Sequence, residues 1–479
     1  MRLITGRLSS PLGRRGLLVL LLLAGGPAAA LDEASTDPLP GYLAEALTRN
    51  HSLQAQQFEV RAAAAALAGA RAKRAPVLAL AARYTVSEGG RFTEIPTGDL
   101  VNPIYQTLNQ LTAESENPTR FPMIDNSRIT FLREREQDTR LTLSLPLYAP
   151  QIGSQIRLQA ALLDSREAQR EAFARTLVRD LRQAYYTLGQ AEAGQRILQA
   201  SLDTLIENQR VAEALLSSGQ ATRDRVLRAE AEVLAVTQRL QVAENQVRQA
   251  RRYLNLLRNA EEEAPVRVSV PLDAVPAPAV PASASAEGAQ RRPELRQAEA
   301  GIRAAEQAAE LARDRYQPTL ALAADSGYQG ETYRHQRDAE VHTASLVLSW
   351  TLFDGGQRRS AVDEALGQAQ ALRARREELA RALDLARRRS EDELRTAESA
   401  LETAGARLRA ASESFRIAQR QRDAGQRSQL EFLDAERART EAELGFAVAG
   451  FDRLRAEAEL EYATAAFVLP PALLARSLP

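Results

Sequence analysis

Four stretches of the chain alternate apolar residues with small or polar ones at a period of two. In the first, Leu78, Leu80, Ala82, Tyr84 and Val86 share one face, and Val77, Ala79, Ala81, Arg83, Thr85 and Ser87 share the other. In the second, Leu141, Leu143, Leu145 and Leu147 alternate with Thr142 and Ser144. The third follows Pro318, and the fourth sets Leu346, Leu348, Trp350 and Leu352 against Val347, Ser349 and Thr351. Period-two patterning with an apolar outer face and a small or polar inner face suits barrel strands that cross a membrane in about 9–11 residues. A soluble sheet with one face packed on helices gives the same alternation.

Between these stretches the pattern changes to helical spacing. Over about 221–260, Leu227, Ala231, Leu234, Leu240, Ala243, Val247, Ala250, Leu254 and Leu257 recur mostly three and four apart, a coiled-coil seam whose alanines imply close packing. The tracts over about 153–218 and 356–424 contain no proline and predict helices near 100 Å long at about 1.5 Å per residue. Helices of that length need lateral support, because globular helices average only about 10–14 residues. Shorter helices are expected over about 41–75 and 294–317, each running into a proline, and returning helices over about 221–260 and 427–466.

The pattern occurs twice. Pro76-Val77-Leu78-Ala79-Leu80-Ala81-Ala82 aligns with Pro318-Thr319-Leu320-Ala321-Leu322-Ala323-Ala324, and Gly219-Gln220 aligns with Gly425-Gln426. The chain therefore reads as a tandem duplication: a first repeat over 31–260, a Pro/Ala-rich linker over 261–292, a second repeat over 293–467 and a tail over 468–479. The halves differ chiefly by an insert at residues 88–138, opposite a short loop at 333–342. Long loops of membrane barrels lie on the extracellular side, so the insert is expected there.

At the N-terminus, Arg14 and Arg15 precede an apolar run from Gly16 to Ala24, and Ala28 and Ala30 supply a small-residue cleavage pattern. This predicts a signal peptide over residues 1–30 and an exported mature chain. No later segment is an apolar run of the roughly 20 residues that a spanning helix needs. With no cysteine there is neither a disulfide nor a lipid-modified cysteine, so a β-structure is the remaining route into a membrane. Lysine plus arginine and aspartate plus glutamate both number 62, so no nucleic acid or other polyanionic partner is implied. The three histidines, His51, His335 and His342, form no nucleophile–base or metal set, and neither an enzyme nor a cofactor is predicted.

Four strands cannot close a barrel, and an open sheet edge is not tolerated in lipid. The fold class expected is an α+β membrane protein: four strands per protomer of a trimeric 12-stranded barrel, on long antiparallel helices. Trp350, Phe353, Tyr148, Tyr84 and Tyr328, all near strand ends, suit an interfacial aromatic girdle. The competing reading is a soluble periplasmic coiled-coil protein with structural or adaptor duty.

These features together resemble the TolC-like outer-membrane efflux proteins. The resemblance rests on the duplicated helix–Pro–strand unit, on Leu348-Ser349-Trp350-Thr351-Leu352-Phe353-Asp354-Gly355-Gly356, and on the turn motifs that begin at Gly219 and Gly425. It spans nearly all of the mature chain. It implies a homotrimer in outer-membrane lipid, a helical barrel tapering to a closed periplasmic end, and docking to a periplasmic adaptor and an inner-membrane transporter. The duty implied is that of an exit duct for tripartite efflux or type I secretion.

The resemblance also implies site residues. Glu431 and Asp434 match two acids three apart that ring the periplasmic constriction. Arg427 matches a basic residue that latches the entrance by an inter-helix bridge. Its acidic partner is displaced here, with Arg225 at that position and Asp224 beside it. A solvated helix end is the plain alternative for these residues.

Overall fold

The computed structural model describes residues 37–114, 119–270, 292–332, 339–424 and 426–471. The predicted signal peptide, Gly425, His335 and most of the expected linker and tail lie outside these residues.

The first repeat opens with α1 (Leu39–Arg49) and α2 (His51–Ala72), where the sequence predicted one helix. Asn50 breaks them apart: its backbone is extended, and its side-chain oxygen accepts the Leu53 N–H at 3.0 Å. The same amide donates to the Leu257 carbonyl at 3.0 Å, so one asparagine caps α2 and ties it to the returning helix. Then come β1 (Val77–Val86), β2 (Phe92–Ile95), α3 (Thr97–Thr112), β3 (Ser127–Thr130) and β4 (Arg135–Tyr148). The 68-residue α4 (Pro150–Ser217) and the 36-residue α5 (Arg223–Arg258) complete the repeat. The second contains α6 (Pro293–Arg313), a short 3-10 turn, β5 (Thr319–Gly330), β6 (Glu340–Ser349), α7 (Gln357–Asp423) and α8 (Gln429–Ala463).

The main sheet is antiparallel in the order β1-β4-β5-β6. Its register sets Leu78 opposite Leu143, Leu80 opposite Leu141, Leu145 opposite Leu322, Leu322 opposite Leu346, and Leu320 opposite Leu348. The leucines of all four strands thus form one continuous face, largely exposed in the single chain: Leu80 is 72% accessible and Leu346 68%. The other face is polar. Asp138 lies between Arg83 and Arg140, Arg140 donates to Gln329 at 2.9 Å, and Thr343 donates to Asp325 at 3.0 Å. A bulge between Pro146 and Tyr148 sets Tyr148, not Leu147, opposite Leu320. The fourth strand ends at Ser349 instead of continuing through Leu352, and His342 lies within it instead of in the preceding loop.

The helices form a layer below the sheet. Helix α4 is central, packed by α1, α2 and α5 along one side and by α6 and α8 along the other, while α7 lies beyond α6 and α8. The main cluster gathers Leu177, Leu181, Tyr185 and Leu188 of α4 with α1 and the start of the expected linker, where Val266 is buried. Gly189 makes room for this crossing, since a Cβ there would lie 2.6 Å from the Phe451 ring and 2.9 Å from Val268. Leu469, expected in the tail, is also buried in this cluster. Among the described residues no helix is long and apolar enough to cross a membrane.

Candidate functional site

The two helical hairpins end side by side. The α4–α5 turn closes on Gly219, whose φ of +76° is the left-handed conformation glycine adopts readily. The Gln220 N–H reaches back to the Leu215 carbonyl at 2.8 Å, and in the second hairpin the Gln426 N–H reaches the Gln421 carbonyl at the same distance. The duplicated turn motif therefore has one hydrogen-bond geometry in both repeats.

Helix α8 starts with a capping box that the motif reading did not include. The Glu431 N–H donates to Ser428 Oγ at 3.3 Å, and the Ser428 N–H donates to Glu431 Oε2 at 3.1 Å. The spacing Ser428-x-x-Glu431 before an apolar pair is the sequence signal for this arrangement. Phe432 and Leu433 follow and are buried against Leu198, Leu202, Leu205 and Phe415. Burial of that pair turns Glu431 and Asp434 to the opposite, exposed side of the helix. Glu436, one turn further, is 3% exposed and accepts from Ser201 at 2.7 Å and Thr440 at 2.9 Å, fixing α8 on α4.

Arg427 lies 3.6 Å from the Glu431 carboxylate within its own turn. Asp224 lies 4.0 Å from Arg228, and Thr222 holds its carboxyl below the usual range by donating a hydrogen bond to it. The two tips are joined instead by a side-chain-to-backbone bond, in which Gln429 Nε2 donates to the Arg225 carbonyl at 3.2 Å. Among the described residues of one protomer, Arg427 pairs with neither Asp224 nor the backbone of that turn.

The aromatic candidates fall at two levels of the sheet. Tyr84 and Tyr328 lie on the leucine face at the end away from the helices, and Tyr148 lies on it at the helix end. Trp350 and Phe353 lie just past β6. Tyr148 donates to Gln317 at 2.6 Å and Trp350 to the Tyr316 carbonyl at 2.9 Å, while Phe353 is 86% exposed.

Arg358, which the motif reading passed over, organises the joint below β6. Its guanidinium donates to Asp354 at 2.7 Å and to the Thr351 carbonyl at 2.6 Å, and stacks over Tyr316. Among the described residues no group of acids and histidines could hold a metal ion.

The family profile of outer membrane efflux proteins matches residues 42–260 and 285–466, the two repeats in turn. No curated protein matches the chain by sequence. Among solved structures, the outer-membrane channel OprN superposes with a TM-score of 0.70 at 21% identity, over 89% of this chain and 90% of that one. The open MtrE channel of Neisseria gonorrhoeae gives 0.71 at 21%, over 89% of each chain. The VceC protein of Vibrio cholerae gives 0.70 at 16%, over 89% and 95%. Identities this low establish a shared fold, and the match of both repeats to one profile establishes the relationship. The chain belongs to the outer membrane efflux protein family.

Proposed function

We propose that this chain is one protomer of a homotrimeric outer-membrane duct. It receives cargo from an inner-membrane transporter through a periplasmic adaptor, as in tripartite efflux or type I secretion. The observation that carries the reading is the continuous leucine face of a sheet whose edge strands, β1 and β6, are both open. A lipid-facing sheet must close, and head-to-tail pairing of one copy's β1 with the next copy's β6 closes it by rotation. The helical layer has matching open edges, α2 with α5 on one side and α7 on the other. Leu234 and Leu256 of α5 and Leu385 of α7 are each more than 60% exposed there. Three copies supply twelve strands.

In that assembly the hairpin tips point into the periplasm, and Glu431 and Asp434 of three copies ring the entrance. Arg427 serves as its latch, with the Asp224–Arg225 turn as the surface it meets. A soluble coiled-coil protein would account for the helices but would not align leucines across four strands.

The test is the mature protein purified in detergent. A heat-dissociable trimer that conducts ions in planar bilayers is expected. A stable folded monomer, or a protein that remains in the soluble periplasmic fraction, would overturn the reading.

A further inference from the structure

The insert between β1 and β4 is a built module, not a slack loop. Strands β2 and β3 pair from Phe92–Thr130 to Ile95–Ser127, and α3 lies between them in sequence. Asn102 and Asn109, two turns apart on α3, each exchange two hydrogen bonds with the extended return segment. Asn102 binds both backbone groups of Ile124 at 2.9 Å. Asn109 binds those of Phe121 at 2.9 and 2.7 Å. Tyr105 stacks on Phe121, and Gly98 is so close to the return segment that a Cβ would lie 2.5 Å from the Ile124 carbonyl. One face of α3 is therefore fixed.

The opposite face has no partner among the described residues of the protomer. At 3.6 residues per turn, Leu100, Ile104 and Leu111 fall together on the far side from Asn102 and Asn109. They are 68%, 59% and 73% exposed. A helix that lies on an anionic lipid surface carries lysine or arginine beside its apolar stripe. Helix α3 carries neither, and its one charged residue is the acid Asp99. The stripe therefore suits an apolar protein surface.

The place of the insert says which one. It rises from the edge strand β1, at the end of the sheet away from α4 and α7. Closing the ring sets another copy directly beside that edge, and the opposing connection between β5 and β6 is short, which leaves the space over the mouth to the inserts. We propose that the Leu100–Ile104–Leu111 stripe packs against the same stripes of neighbouring copies and caps the outer mouth of the duct. This rests on the channel reading above and adds an outer closure to it.

The chain has no cysteine, so single cysteines report directly. Ile104→Cys and Leu111→Cys are to be oxidised in whole cells, with Gln110→Cys, on another face of α3, as control. The expected result is disulfide-linked pairs at 104 or 111, up to roughly two thirds of the chains, the ceiling for pairing among three. Linked channels should conduct less than reduced ones in planar bilayers, and Ile104→Lys with Leu111→Lys should conduct more than the parent. Free reaction of both cysteines with a membrane-impermeant maleimide, with no cross-link, would overturn the proposal. So would quenching of a fluorophore at 104 by brominated lipid, which would assign the stripe to the membrane. A heat-dissociable trimer on the same gels separates failure of this cap from failure of the channel itself.

Discussion

In the proposed duct, single residues at the hairpin tips set the chemistry of the entrance. Glu431 has two uses, since its carboxylate completes a capping box and also lies on the exposed face it shares with Asp434. Glutamine at the third helical position keeps a capping box while removing the charge. Glu431→Gln with Asp434→Asn should therefore leave folding intact and lower cation preference in single-channel recordings, and block by trivalent cations should weaken. The difference should shrink at high salt, because the Debye length falls from about 10 Å at 0.1 M to about 3 Å at 1 M. Unchanged selectivity would return both acids to the role of a solvated helix end. Away from the tip, Arg292 is a buried cation held by Glu294 at 3.0 and 2.6 Å, with Tyr462 beneath it. Burial pushes the Glu294 carboxyl up, but hydrogen bonding and charge from Arg292 outweigh it and the net shift is downward. A carboxyl whose folded pKa is depressed stabilises fully above its unfolded pKa and stops doing so as pH falls through the folded one. Glu294→Gln should cost about 2 kcal/mol at pH 7, less than a fully buried broken pair because the acid is partly exposed. Melting curves of parent and variant should converge below the ordinary glutamate range, and a constant gap down to pH 3 would remove the pair from the account.

At the scale of elements, the two repeats solve the same joints differently. Below β4 the chain enters α4 through Ala149 and Pro150, with proline in the first helical turn. Below β6 it uses Asp354-Gly355-Gly356, with φ of +65° and +91° at the glycines, and Arg358 gathers the loop carbonyls. Alternation alone placed the strands but ran β6 through Leu352, because Trp350 and Leu352 continue the pattern after the ladder has ended. The break at Asn50 was missed for a related reason: α1 and α2 are both good helical sequence, and only the capping bond to Leu53 and the contact to Leu257 separate them. Between β4 and β5 the backbones leave no space at Gly327, where a Cβ would lie 2.1 Å from the Thr139 carbonyl oxygen. Gly327→Ala should force the two strands apart at a cost of about 3 kcal/mol. The expected outcome is a trimer that dissociates at lower temperature with its helical signal retained, and an unchanged dissociation temperature would mean the strands shift freely.

The whole molecule is a layer with two unfinished edges at both levels, in the sheet and among the helices. Few residues of α7 are buried, among them Ala369, Leu394, Phe415 and Ala418, whereas α4 buries residues along its entire length. That asymmetry follows from position, since α4 has neighbours on both sides and α7 on one. Orientation follows from the same plan, because the insert and the long helices leave opposite ends of the sheet. A cysteine in place of Glu114, beside α3, should react with a membrane-impermeant label in whole cells. Reaction only after the outer membrane is opened would reverse the orientation.

The sequence by itself determined the duplication, the four strands of the main sheet, the long helices and the turn motifs, because each follows from a local period or a repeated motif that survives without its surroundings, whereas the short strands β2 and β3 of the insert went unread. Leucine at every second position and alanine at every third or fourth need no partner to be recognised. It also held the capping box at Ser428, a local signal obscured by reading Glu431 only as a member of an acidic pair. Only the tertiary structure decided register, and register is what turns separate alternations into one leucine face. It decided that Tyr148 and not Leu147 meets Leu320, through a bulge with no signature in the alternation. It showed that residues expected as linker and tail pack into the core, where Val266 and Leu469 are buried. It also gave the insert a built helix with an apolar side turned outward. These outcomes depend on contacts between residues far apart in the chain, which neither composition nor periodicity records.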